Sequence, residues 1–346
     1  MAKDEIMNSL ELLREFVGLY GPPQLEAPVR DAFITHAELL GHQPRIDAKG
    51  NVLIGPEAPL VVVTAHLDEI ALMVSEVRAD GAVKVVPLGG AYPWKWGEGP
   101  VDLLGRHATV PGILSFGSTH TDSPQSVAQQ AREGPLKWMH AFVFTGRPGD
   151  DLSAAGVRIG TRCVLSHSRR VITELGQHVG SYFLDDRADL VALLQVIEQL
   201  SDPQMNKQVL FAATAAEELG GDGAMWLLQA TPAPIVVALE IGPITPECPM
   251  PLDANPTAWV KDSYSTTDPR DLDLLEDCAL TIGCKLHWQA VGRGGSDATC
   301  AAAKGLCARP VTLAFPVENS HGYEIMHRDA IDHLARLTVE YLKRVV

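Results

Sequence analysis

The chain has six cysteines in 346 residues and no CxxC pair among them. Cys163, Cys248, Cys278, Cys284, Cys300 and Cys307 lie scattered, which excludes a disulfide framework and a thiolate zinc site and leaves reduced, partly buried thiols. Basic charge is also scarce: 28 Lys and Arg against 43 Asp and Glu give a formal charge of −15. No basic stripe is available for a nucleic acid or an anionic membrane, and neither is expected as a partner. Cationic or amine-bearing ligands suit such a chain better. No apolar run approaches the roughly 20 residues of a spanning helix. The start, MAKDEIMNSLELL, is acidic and amphipathic where a signal peptide is basic and then apolar. The expected location is cytoplasmic. Repeats and low-complexity tracts are absent too. What remains is an ordinary globular composition, 46% hydrophobic, with enough chain for one large or two medium domains.

Along the chain the hydrophobic period changes three times. Ile6, Leu10, Leu13, Phe16, Val17 and Tyr20 share one helical face, and a second amphipathic run follows Gly21-Pro22-Pro23. NVLIG (51–55) and LVVVTAH (60–66) are short, β-branched and continuous, as strands of a buried sheet are. From about 75 to 177 the text breaks into strand-like pieces such as GAVKVVPLGG, HATVPGILSFG and VRIGTRCVLSH, with one short helix expected near SPQSVAQQARE. Thereafter helix and strand alternate through DDRADLVALLQVIEQL, QVLFAAT, GDGAMWLLQA, PIVVALE, RDLDLLEDCALTIG, VTLAF and the C-terminal helix. This alternation predicts an α/β three-layer sandwich with a mainly parallel central sheet. Residues 1–74 and 178–346 would form it, and 75–177 would be an inserted, mostly β domain. Trp94 and Trp96 are expected to be buried within that insertion.

Ligands of open α/β sheets sit at the carboxyl edge of the strands, so the strand ends carry the functional information. One apolar run ends in His66-Leu67-Asp68-Glu69, another in Glu217-Glu218, a third in Glu240 and a fourth in His321. Asp185 of FLDDRADL opens a helix, where capping is its ordinary role. Two imidazoles and several carboxylates converging on one edge make a hard-ligand site for zinc, cobalt or manganese. Five groups are enough for two divalent metal ions sharing a bridging carboxylate. Residues two apart on an extended strand point the same way, so the Asp68 carboxylate is expected to accept a hydrogen bond from the second nitrogen of His66. Glu217 and Glu218 point in different directions by the same rule: one holds a metal and the other acts as base. The rival pair His120 and Asp122 lacks a strong strand ahead of it and reads as a polar loop.

AHLDEIALMV (65–74), LDDRADL (184–190), AEELGGDGA (216–224), GRGGSDAT (292–299) and the late His321 resemble, in order and interval, the tetrahedral-type dinuclear metallo-aminopeptidases. That family includes glutamyl and deblocking aminopeptidases and some members labelled endoglucanase. The resemblance covers nearly the whole chain. It implies that His66, Asp185 and Glu240 hold one metal, that Asp185, Glu218 and His321 hold the other, and that Glu217 is the general base. It also implies self-association, to a dimer or to a hollow dodecamer, with the 75–177 insertion in the subunit contacts. The expected function is hydrolysis of a small peptide substrate by an exopeptidase of the aminopeptidase type, with Asp68 supporting catalysis.

Several positions depart from that family. Glu240 stands where an aspartate is usual, and Glu318, Asn319 and Gly322 surround His321 where an arginine, a tyrosine and a serine are usual. Asp189 replaces a glycine after DDRA. The departures leave a carboxypeptidase-like or N-acyl amino-acid deacylase activity as the alternative within the same fold. A glycoside hydrolase would need a carboxylate pair and no histidine or metal, and a silent scaffold would have no reason to keep every ligand type.

Overall fold

The computed structural model of the chain describes residues 8–200 and 205–346. Ile6, counted above in the first helical face, lies outside the described residues. The chain divides into two compact units, one of Met1–Asp68, Ile172–Ser320 and Glu324–Val346, the other of Glu69–Val171 with His321–Tyr323.

The first unit is built on a sheet of 11 strands among the described residues. Four apolar strands lie parallel at its middle: Val209–Thr214, Val61–His66, Ile235–Pro243 and Arg309–Glu318. The flanks are largely antiparallel. Val52–Ile54 pairs with Val209–Thr214, and both Thr257–Lys261 and Tyr323–His327 run against Arg309–Glu318. The sheet is therefore mixed, not mainly parallel throughout. Hairpins such as Thr173–Leu175 with His178–Tyr182 supply antiparallel neighbours, whereas a parallel pair needs a crossover, as Thr257–Lys261 and His287–Ala290 have through the helix Pro269–Thr281.

Because side chains alternate across a strand, each central strand feeds two cores. Val61, Val63 and Ala65 join Phe16, Phe33, Leu190, Leu194, Leu334 and Tyr341. Val62 joins Leu210, Val236, Leu227, Leu228 and Ala298 on the other side. Each such valine or leucine, fully buried, contributes roughly 1.5–3 kcal/mol. The first helix starts where Asn8 accepts hydrogen bonds from the amides of Leu10 and Glu11, and it ends at Gly18. Tyr20 lies two residues beyond it, so the predicted face runs past the helix end.

The second unit is a closed antiparallel barrel of Ala71–Val77, Val83–Leu88, Phe142–Phe144, Thr109–Ser115, Gly99–Leu104 and Arg162–Leu165. Closure leaves no strand edge exposed. Three short helices interrupt it, Pro93–Trp96, Val127–Glu133 and Gly149–Ala154, where the sequence suggested one. Trp96 is buried and meets Trp138 edge-on at 6.0 Å. Trp94 is 63% exposed, against expectation, with the Lys95 ammonium over its ring. The pair Glu69 and Arg170, at the two ends of this unit, is fully buried and bidentate. His120 and Asp122 lie in an exposed loop, and all six cysteines are buried and unpaired.

Candidate metal centre

The strand Val61–His66 delivers His66 to the carboxyl edge of the parallel sheet, buried with 2% exposure. Its Nδ1 is 3.1 Å from the backbone carbonyl of Asp68 and 3.4 Å from Asp68 Oδ1. A carbonyl only accepts, so Nδ1 is the donor and Nε2 faces the cluster, 3.0 Å from Asp185 Oδ1 and 4.0 Å from Glu217 Oε2. The carboxylate of Asp68 was expected to hold the imidazole. Its backbone oxygen takes most of that role, because the carboxylate oxygens accept the amides of Glu217 at 2.9 Å and Glu218 at 3.1 Å. Asp68 therefore ties the first motif to the paired glutamates.

Glu217 and Glu218 occupy a 3-10 turn, Glu217–Leu219, and not an extended strand end. The turn is entered through Ala216 in the left-handed region (φ 54°) and left through Gly220 and Gly221, also left-handed. Asp185 lies at the start of the helix Leu184–Gln199 with non-helical dihedrals (φ −74°, ψ 103°), so it does not cap in the ordinary way. Its amide donates to Glu324 Oε2 at 3.1 Å. Glu240 lies inside the strand Ile235–Pro243, three residues before its end, and is buried. His321 follows the end of the strand Arg309–Glu318 with φ 58° and belongs to the second unit, its Nδ1 3.2 Å from the carbonyl oxygen of Gly90.

His66, Asp185 and Glu240, together with Asp186, each offer a ligand atom within 4.8 Å of the others, and all four are buried. Asp186 was not singled out from the sequence. Its Oδ2 accepts the His66 amide at 2.6 Å, so one oxygen is committed to the backbone. The doubled acid of LDDRADL, entering an apolar helix, was the available signal. Arg187 was also missed: fully buried, it donates to the carbonyls of Leu67 and Asp68 and holds the first motif from behind.

The charges do not balance within this cluster. Burial raises the pKa of Glu217 well above the carboxylate range; His66 opposes this, while Asp297, Glu218 and Asp68 reinforce it. Burial raises Glu240 likewise, with Glu217 and Asp185 adding to it. Asp189, in place of the usual glycine, is pushed to about 7 by burial. For His66, burial favours the neutral ring, but the carboxylates of Asp186, Asp185, Asp68 and Glu217 prevail and hold its pKa well above the ordinary value. Several carboxylates around one imidazole are short of positive charge. Oxygen and imidazole donors withdrawn from water are the set that zinc, cobalt or manganese takes, and a divalent cation would relieve the excess. The residues fit a metal.

The α/β unit gathers buried His, Asp and Glu side chains at the carboxyl edge of its parallel strands, where open α/β sheets hold their ligands. The chain is a member of the M42 glutamyl aminopeptidase family, whose profile matches residues 50–337. It is 27% identical over 228 residues to a glutamyl aminopeptidase of Lactococcus lactis subsp. cremoris, covering 64% of this chain and 62% of that protein. It is 27% identical over 222 residues to a lysyl aminopeptidase of Pyrococcus furiosus, covering 62% of this chain and 60% of that protein. The matched stretch thus spans about three fifths of those curated relatives. Among solved structures, the TET1 peptidase of Pyrococcus horikoshii, described as assembling into a tetrahedron or a large octahedral shell, superposes with a TM-score of 0.83. It is 21% identical and covers 96% of this chain and 98% of that one, a likeness of fold. The family read from the five motifs is borne out.

Proposed function

We propose that this chain is a dinuclear metal-dependent aminopeptidase acting on small peptides. The observation that carries the reading is the buried grouping of His66, Asp185 and Glu240 at the carboxyl edge of the parallel strands, with the Glu217 carboxylate 4.0 Å from His66 Nε2. His66, Asp185 and Glu240 would hold the first ion, and Asp185, Glu218 and His321 the second. Asp186, whose Oδ2 accepts the His66 amide, would hold the strand end that carries the imidazole. The donor set favours zinc, with cobalt and manganese as alternatives. Divalent ions in such a site supply Lewis acidity, polarising the scissile carbonyl and making water easier to deprotonate.

Glu217 is the residue placed to move the proton. Buried, with its pKa raised, it accepts a proton from the attacking water and returns it to the leaving amine. Asp68 fixes the backbone of both glutamates, so base and ligand keep their separation while the proton moves. The surplus of acids around the cluster suits a substrate that presents a free amino group. The two cores on opposite faces of the sheet support a three-layer sandwich for the catalytic domain. The 75–177 insertion, with exposed Trp94 and Met139, is given assembly and access control. Six unpaired buried cysteines are in keeping with a reducing cytoplasm.

The test is metal analysis of the purified protein with hydrolysis of free and N-blocked dipeptides, before and after chelation. Two ions per chain, activity on free N-termini and its loss in chelator are expected. Glu217→Gln should keep both ions and lower turnover at least about a hundredfold. Protein unable to take up metal would sink the reading, and a preference for N-blocked substrates would move it to a deacylase.

A further inference from the structure

The turn that carries Glu217 and Glu218 is an expensive conformation. Ala216 has φ 54°, and a non-glycine residue in the left-handed region costs roughly 1–2 kcal/mol. Such strain persists only where the surroundings over-determine it. Here successive donors from Thr214 to Glu218 are each taken by a side chain from a distant part of the sequence. The Thr214 hydroxyl donates to Asp297 Oδ2 at 2.6 Å. The Ala215 amide donates to Asn51 Oδ1 at 2.8 Å. The Ala216 amide is a hydrogen-bond partner of the Glu26 carboxylate, and the next two amides go to Asp68.

The exit from the turn is held by the same groups. Asn51 Nδ2 donates to the carbonyl of Gly223 at 3.0 Å. Cys300, on the helix that Asp297 opens, packs where a side chain on Gly221 would have to go, 2.8 Å from that position. Asn51, Asp297 and Glu26 are buried. None belongs to the metal cluster, and Asp297 comes from the GRGGSDAT motif, which Cys300 directly follows and for which the catalytic reading has no use.

We infer that Glu26, Asn51 and Asp297 are positioning residues for the Glu217–Glu218 turn, an outer set of acceptors that fixes where the proposed base stands relative to the proposed ligand. The inference rests on the aminopeptidase reading for its catalytic consequence and on geometry alone for its structural one. A displacement of about 1 Å in an active site costs up to a hundredfold in rate, so loosening this segment should lower kcat while leaving substrate binding in place.

The experiment uses the full chain loaded with zinc. Thr214→Val removes the hydroxyl that donates to Asp297, Glu26→Leu the acceptor of the Ala216 amide, and Asn51→Leu both the acceptor of the Ala215 amide and the donor to Gly223, while Thr214→Ser and Glu26→Gln keep an oxygen in the same place. Amide exchange is read by mass spectrometry over peptides spanning 214–221, beside kcat, KM and metal content. The first three variants should exchange at least tenfold faster in that segment alone, with kcat down ten- to a hundredfold, KM within twofold and both ions retained. The two conservative variants should match the wild type. Unchanged exchange in all three overturns the inference, and so does faster exchange throughout the protein or an equal loss in the conservative variants. Should the wild type hydrolyse no peptide, the aminopeptidase reading fails, and the exchange measurement still decides the positioning role.

Discussion

Replacing Arg170 by Met tests how the barrel unit is closed. Arg170 and Glu69 are fully buried, with Nη1 to Oε2 at 2.9 Å and Nη2 to Oε1 completing the fork, and Arg170 Nε also donates to the carbonyl of Leu165 at 2.9 Å. Removing the guanidinium takes a bidentate charge partner away from the buried Glu69, and breaking a pair of this kind costs about 3–5 kcal/mol. Replacing both partners by methionine removes the buried charge as well as the attraction, and such replacements are often close to neutral. The expected order of stability is therefore wild type and double variant together, with Arg170→Met well below. Calorimetry supplies a second number. An unfolding entropy of about 2.1 cal/mol/K per residue makes 4 kcal/mol worth about 5–6 °C if all 346 residues melt together. If the roughly 100 residues of the barrel melt on their own, the same 4 kcal/mol becomes roughly 15–30 °C. A single variant within 1 kcal/mol of the wild type, or a double variant less stable than the single, would refute the reasoning.

Glu240→Asp, which restores the residue usual in the resembling family, should keep both metals and shift preference across a panel of free and N-blocked dipeptides; identical profiles would show that the longer acid does not set specificity. Gly223→Ala places a methyl 2.2 Å from the Ala215 carbonyl oxygen and 2.6 Å from Asn51 Oδ1, and should cost about 3 kcal/mol in denaturant unfolding, whereas Gly220→Ala meets nothing within 4 Å and should cost only the roughly 1–2 kcal/mol of its left-handed backbone. Light scattering at micromolar concentration should find at least a dimer, and a monomer would remove assembly from the roles of the 75–177 insertion.

The sequence showed most clearly those parts of the molecule whose residues are neighbours in the chain. VVVTAH, VLFAAT and IVVAL read as buried strands because every side chain faces a core, one above the sheet and one below, and no polar alternation is needed. The acids that follow them stood out because an apolar run has no local use for a carboxylate. Flanking strands such as Thr257–Lys261 and His287–Ala290 did not stand out; they are short, partly exposed and defined by what pairs with them. Trp94 and Trp96 are two residues apart in one short helix, yet one is exposed and the other buried, a distinction that composition cannot make.

At the candidate site the same division separates the proposed ligands from their supports. His66, Asp185 and Glu240 could be named because a metal requires particular residue types and the strand ends offered them. Glu26, Asn51 and Arg187 act on the site through backbone atoms that lie 190, 164 and about 120 positions away, and a glutamate, an asparagine or an arginine in a loop or a helix carries no mark of that. Even the role of Asp68 changed for this reason. Two residues after His66 it was the natural partner for the imidazole, but the amides of Glu217 and Glu218, 149 and 150 positions on, claim its carboxylate. An anionic acceptor holding two N–H groups gives each a hydrogen bond about twice as strong as a neutral one, whereas the imidazole needs only one acceptor at Nδ1, and the Asp68 carbonyl supplies it. The carboxylate therefore goes to the turn that carries the proposed base, and the backbone oxygen to the proposed metal ligand.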